Sequence, residues 1–156
     1  MNTNLKNAAS LFLWVAALLF TGFLIGQMTQ PGITDWYQAL NKSALTPPDY
    51  VFGLVWSILY AMIGYCGWAI WQTQQSTNTK LIFITQLLLN FIWSPLFFYF
   101  NQVLLSLIVI LILICLVATL MRILSKNQIL LTLLLTPYFL WLGFAGYLNA
   151  FIWLYN

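Results

Sequence analysis

The run Val103-Leu104-Leu105-Ser106-Leu107-Ile108-Val109-Ile110-Leu111-Ile112-Leu113 decides the class of this chain. It carries one hydroxyl and no charge, and it opens an apolar stretch that reaches Leu124. A helix that crosses the hydrocarbon of a bilayer needs about 20 mostly apolar residues. A strand of a membrane barrel would alternate apolar and polar positions instead, and this run does not alternate. Backbone groups in lipid must pair within the protein, so only helices or closed barrels remain, and continuity selects the helix.

Outward from this run, four more apolar stretches fill the sequence. The spacing predicts helices over about 8–28, 47–72, 80–100, 103–124 and 128–153, joined in one domain, 1–156. The expected fold is an all-α membrane protein, a bundle of five transmembrane helices. The charged residues are Lys6, Asp35, Lys42, Asp49, Lys80, Arg122 and Lys126, and each lies between the stretches or at their ends. With no charge inside a span, proton relays and voltage sensing lose their usual carriers. The basic residues are scattered, which argues against nucleic-acid binding. Lys6, Lys80, Arg122 and Lys126 fall on the amino-terminal side and Lys42 alone on the other. The positive-inside rule then predicts a cytoplasmic amino terminus and an outer carboxyl terminus.

Histidine is absent, which removes the commonest metal ligand and general base. Cys66 and Cys115 sit mid-helix and read as small apolar residues rather than a disulfide. The first stretch is too long for a signal-peptide core and ends in no clear cleavage pattern. No hydrolytic constellation of serine, cysteine or carboxylate is visible.

Three of the links are short, which makes sequential helices antiparallel. The link 29–46 is the exception, and a long connection in a compact bundle is often a lid or binding loop. It holds Trp36, Tyr37 and Lys42 and runs into Thr46-Pro47-Pro48-Asp49. Thr46 is expected to cap the second helix, with Pro47 at its first position and Asp49 completing the box.

Steps of three and four gather polar and aromatic residues on single faces. The second helix presents Gly53, Trp56, Tyr60, Gly64, Gly67 and Trp71. The third presents Gln86, Asn90, Trp93 and Phe97. The fifth presents Tyr138, Trp141, Ala145, Leu148 or Asn149, and Ile152. The fourth has no aromatic residue and reads as a lipid-facing wall. Trp14, Trp68, Trp71 and Trp153 lie near helix ends and read as interfacial anchors. Asn90 and Asn149 are expected to point inward, because an amide facing lipid would lack partners. They bond either neighbouring helices or a ligand. Large rings beside small residues form either a tight helix contact or one wall of a slot, and periodicity does not choose. Pro95 and Pro137 each remove a backbone donor and are expected to kink or widen their helices.

At this point the chain resembles the translocator protein family, also called the peripheral benzodiazepine receptor or tryptophan-rich sensory protein family. The resemblance rests on Trp36-Tyr37, Leu40, Lys42 and Thr46-Pro47-Pro48, and on Gly53-x-Val55-Trp56 with Tyr60. It continues in Leu89-Asn90-x-x-Trp93-Ser94-Pro95-Leu96-Phe97-Phe98. It ends in Pro137-Tyr138-x-x-Trp141-x-x-Phe144-Ala145-x-x-Leu148-Asn149, Ile152 and Asn156. It implies a bundle, commonly dimeric, whose pocket binds porphyrins such as protoporphyrin IX and drug-like hydrophobic ligands beneath a first-loop lid. It implies no required cofactor. The ligand positions it implies are Tyr37, Trp56, Tyr60, Asn90, Trp93, Phe97, Trp141, Ala145 and Leu148, with Trp36, Lys42, Pro47 and Pro48 in the lid. Two other functions that it raises are light- and oxygen-dependent porphyrin degradation through Trp141, and transport of porphyrin or lipid. The family usually has Lys-Pro-x-Trp before Thr-Pro-Pro, where this chain has Lys42-Ser43-Ala44-Leu45. The stretch 148–154 lacks the basic residue of the cholesterol pattern, so high-affinity cholesterol binding is expected to be absent. Gly22 and Gly26 are expected to supply the contact between copies.

Overall fold

The structure, a computed structural model, describes residues 3–156, with side chains from Leu5 onward. Five helices carry it: α1 (Thr3–Pro31), α2 (Asp49–Gln72), α3 (Thr77–Ser94), α4 (Val103–Leu124) and α5 (Ile129–Tyr155). All five, counted with their continuing turns, are long and apolar enough to cross a membrane. α1 packs on α2, α2 on α5, α5 on α4, and α4 on α3. The circle closes where α1 meets α3 and the turn that follows it. The staves therefore run 1-2-5-4-3, and α2 and α3, although consecutive, touch little.

α4 is more than a wall against lipid. It buries Ser106, Val109, Ile110, Leu113, Val117, Leu120 and Leu124 at steps of three and four, while Leu104, Leu105, Ile108, Leu111 and Ile112 stay exposed. A leucine is equally at home on either side in a membrane, so sequence periodicity gave no sign of this inner face.

The first connection also differs from the expected loop. Helical backbone continues past Pro31 into a wide π turn, Gly32–Trp36, and a 3₁₀ turn, Tyr37–Ala39. Only 40–48 is irregular. The predicted cap on α2 is not formed either. Pro48 occupies the capping position with no side-chain bond, and the Thr46 N–H donates to Ser43 O at 2.9 Å. Proline at 48 holds the chain extended at the point where it enters the helix (φ −56°, ψ 147°), which sets the boundary without a hydroxyl. α3 begins earlier than expected because Ser76 Oγ accepts from the Thr79 N–H at 3.2 Å.

α3 ends at Ser94, and Pro95 opens a second π turn, Pro95–Tyr99. The two wide turns meet. A methyl group on Gly32 would overlap the Phe98 carbonyl, so glycine is what permits this approach. π turns are uncommon and often mark functional positions. Trp14 and Trp71, expected as interfacial anchors, pack on each other at 5.2 Å, and both rings contact Phe83. Cys66 is buried, Cys115 is exposed, and both are free thiols.

Candidate functional site

A cavity of about 530 Å³ opens between α1, the first half of α2 and the second half of α3. The two π turns lie at one end of it, with Ile33 and Phe98 in its wall. Tyr37, Trp56, Tyr60, Asn90 and Trp93 all line it. Trp56 and Tyr60, one turn apart on α2, stack at 5.4 Å and 29°. That spacing turns two successive rings to the same side of a helix, and both line the cavity.

The cavity's polar groups belong to a chain of hydrogen bonds that crosses the bundle. Tyr60 Oη donates to Asn90 Oδ1 at 2.9 Å, Asn90 Nδ2 to Tyr138 Oη at 3.0 Å, and Tyr138 Oη to Gln86 Oε1 at 3.0 Å. All four residues are buried. Asn90 thus serves as interhelical link and cavity wall at once. Asn149 links only. Its Oδ1 accepts from Trp93 Nε1 at 3.3 Å and Ser106 Oγ at 3.0 Å, and its Nδ2 donates to Val103 O at 2.9 Å. The indole N–H of Trp93 is therefore engaged away from the cavity.

The segment above the cavity is fastened at several points. Gln38 Nε2 donates to Asp49 Oδ2 at 2.6 Å, and Lys42 Nζ donates to Gln38 Oε1 at 2.7 Å. The Lys42 ammonium also lies over the Tyr37 ring at 4.8 Å, an attractive cation–π placement. Ser43 Oγ and Tyr147 Oη share a hydrogen bond of 2.8 Å. Asn41 and the end of α5 exchange bonds: Asn41 N–H to Asn156 Oδ1 at 2.8 Å, Asn41 Nδ2 to Tyr155 O at 3.2 Å, and Asn156 Nδ2 to Asn41 O at 3.2 Å. Trp36 and Tyr37 pack edge-on to Phe97, at 5.5 and 6.1 Å. Pro47 and Pro48 lead into α2, and Asp49 lies in the cavity lining.

The remaining sequence-selected residues lie elsewhere. Phe97 is buried behind the cavity, stacked on Trp93 at 5.6 Å and 14°. Ala145 and Leu148 are buried in α5 and do not line the cavity. Trp141 lies on the other side of α2. It lines a second, open groove of about 490 Å³ with Val55, Ile58, Leu59, Pro137, Leu140 and Phe144, and its ring meets Phe52 at 5.8 Å. Its Nε1 is buried and without a partner among the described residues.

The sequence reading assigned no ligand residue to α1, yet α1 supplies Gly22, Gly26, Gln27 and Gln30 to the lining. Within the chain, a Cβ on Gly22 would overlap the Tyr60 ring, while one on Gly26 would meet nothing within 4 Å. The Gly22-x-x-x-Gly26 spacing was the available signal: small residues mark close approach, within one chain as well as between chains.

Residues 14–154 match the model of the TspO/MBR family. The chain is 35% identical over 153 residues to a tryptophan-rich protein TspO of Archaeoglobus fulgidus, covering 96% of this chain and 99% of the relative. It is 32% identical over 151 residues to the translocator protein of Bos taurus, covering 90% and 89%. A tryptophan-rich sensory protein of Cereibacter sphaeroides is 29% identical over 140 residues, covering 90% and 87%.

Proposed function

The chain belongs to the TspO/MBR family, and from that premise we propose that it is a membrane binding protein or sensor for porphyrins and related flat hydrophobic ligands. The observation that carries this reading is the cavity under the Gly32–Pro48 segment. Its volume falls within the range of about 300 to 1,000 Å³ that encloses small organic ligands, at about 530 Å³. Stacked Trp56 and Tyr60 offer a face for a planar ring, and a few convergent polar groups supply orientation. Asp49 is the charged residue of the lining among the described residues. An acidic ligand edge at the mouth would be met by Lys42, released from Gln38, rather than by the carboxylate. We also propose a cytoplasmic amino terminus, a reading supported by Lys6, Lys80, Arg122 and Lys126 on that side against Lys42 on the other.

Titration of tryptophan emission with protoporphyrin IX in detergent tests the reading. Saturable quenching is expected, with affinity reduced in Trp56→Leu. Equal affinity in Trp56→Leu and the parent chain would place the ligand elsewhere. Degradation through Trp141 would have to take place in the second groove, because Trp141 does not line the cavity. Illuminated turnover compared between Trp141→Phe and the parent chain decides it, and equal rates would remove that role.

A further inference from the structure

Gln86 lies at the middle of α3 with none of its surface exposed, and its Nε2 has no hydrogen-bond partner among the described residues. A bare amide donor in an apolar interior has lost the bonds that water gave it. The chain of bonds that ends there has a direction. With the two amides so oriented, Tyr60 donates to Asn90, Asn90 to Tyr138, and Tyr138 to Gln86, so the three donations run from Tyr60 toward Gln86.

An amide side chain presents an acceptor and a donor group in nearly the same shape, and a half-turn exchanges them. If Asn90 and Gln86 both turn over, all three links survive with the direction reversed. Gln86 Nε2 then donates to Tyr138, Tyr138 to Asn90 Oδ1, and Asn90 Nδ2 to Tyr60. Two consequences follow. The orphan at Gln86 becomes a carbonyl oxygen, which proteins leave bare more readily than an N–H. The hydroxyl proton of Tyr60, a residue of the cavity wall, becomes free for a ligand.

We propose that Tyr60, Asn90, Tyr138 and Gln86 form a reversible relay through which the cavity selects ligands by the hydrogen bonding of one edge. A carbonyl or carboxylate oxygen takes the Tyr60 proton and fixes the reversed direction. A ligand N–H meets the Tyr60 oxygen and keeps the first direction. Tyr60 makes the contact, and Gln86 is a positioning residue that acts through Tyr138 and Asn90. No covalent bond forms or breaks. The relay rests on the cavity reading above and adds which ligand groups that cavity distinguishes.

Three tricyclic probes of nearly one shape test it: fluorene, its ketone 9-fluorenone, and carbazole with its ring N–H. Binding is read by tryptophan quenching in detergent, each affinity being expressed relative to fluorene. Fluorenone is expected to gain about 3- to 10-fold over its ratio in Tyr60→Phe, as one net hydrogen bond provides. In Gln86→Leu, Tyr138 keeps a partner for its proton only in the reversed direction. The fluorenone ratio should therefore rise further, and the carbazole ratio should fall. The infrared carbonyl stretch of bound fluorenone should lie at lower frequency in the parent chain than in Tyr60→Phe, a shift that loosened packing would not give. The parent-chain spectrum, compared with free fluorenone in an apolar solvent, needs no variant to fold. Equal ratios in the parent chain and Tyr60→Phe, an unshifted stretch, or ratios unmoved by Gln86→Leu would overturn the relay alone. Failure of all three probes to bind saturably would overturn the cavity reading with it.

Discussion

Two spaces of similar size flank α2, and they differ in everything but size. The cavity toward α1 and α3 has glycines, stacked rings, a hydrogen-bonded chain and a tethered segment above it. The groove toward α5 has apolar walls and open access. Volume does not make a site. A site needs a few fixed polar groups to set orientation, and only the first space has them within reach. The groove lies between α2 and α5, and its lining, with Pro137, is apolar throughout apart from the indole of Trp141. The comparison explains why tryptophans that look alike in the sequence differ in use: Trp56 and Trp93 line the cavity, while Trp141 lines the groove.

Substitutions can break or sharpen this contrast. The largest effect is expected from Gly32→Ala, whose methyl overlaps the Phe98 carbonyl and forces the two π turns apart. Overpacking of this kind costs about 1–3 kcal/mol, readable as lower thermal stability in detergent, and the cavity should lose its ligand as its end opens. Trp56→Leu removes one partner of the Trp56–Tyr60 stack. An aromatic pair contributes about 0.5–1.5 kcal/mol beyond its area, so protoporphyrin IX affinity should fall about tenfold in a fluorescence titration. Ser43→Ala cuts the tie to Tyr147. Loss of one partly exposed hydrogen bond of about 1 kcal/mol should speed ligand dissociation by a few-fold in stopped-flow quenching, with the helix content unchanged by circular dichroism. Trp141→Phe should do least, leaving cavity affinity within about twofold, since Trp141 reaches the cavity only through its edge contact with Phe52 and the phenyl ring of the variant keeps an aromatic neighbour there. A large loss of affinity there would erase the distinction between the two spaces.

The bundle was legible in the sequence to different depths. α4 begins and ends where the apolar run does, at Val103 and Leu124, because polar links bound it sharply. The end of α1 was not legible: a proline usually ends a helix, and no residue code announces that a π turn will carry the chain onward. The inward amides were readable, since Asn90 and Asn149 had to find partners in an apolar medium. The rotation of α5 was not. Most of its residues are apolar all round, so which neighbour Trp141 faces is decided by the packing of α5 between α2 and α4, a tertiary fact. The contribution of α1 was missed for a related reason: glycines carry no chemistry of their own and matter only through what approaches them.

α1 stands apart from the other staves. Only 6% of its most apolar window is buried, against 33% to 39% for the others, and Phe12, Leu13, Phe20 and Leu24 are exposed outside the cavity lining. Yet it forms one side of the cavity. Of the five spans this one precedes the others in the chain, so it is made before α2 and before the Pro95 turn that it seats against. It can seat on α2 as soon as that span follows, and the cavity wall is complete only once the second half of α3 is present. The cavity is thus assembled from three spans made in succession, α1 before α2 and α2 before α3.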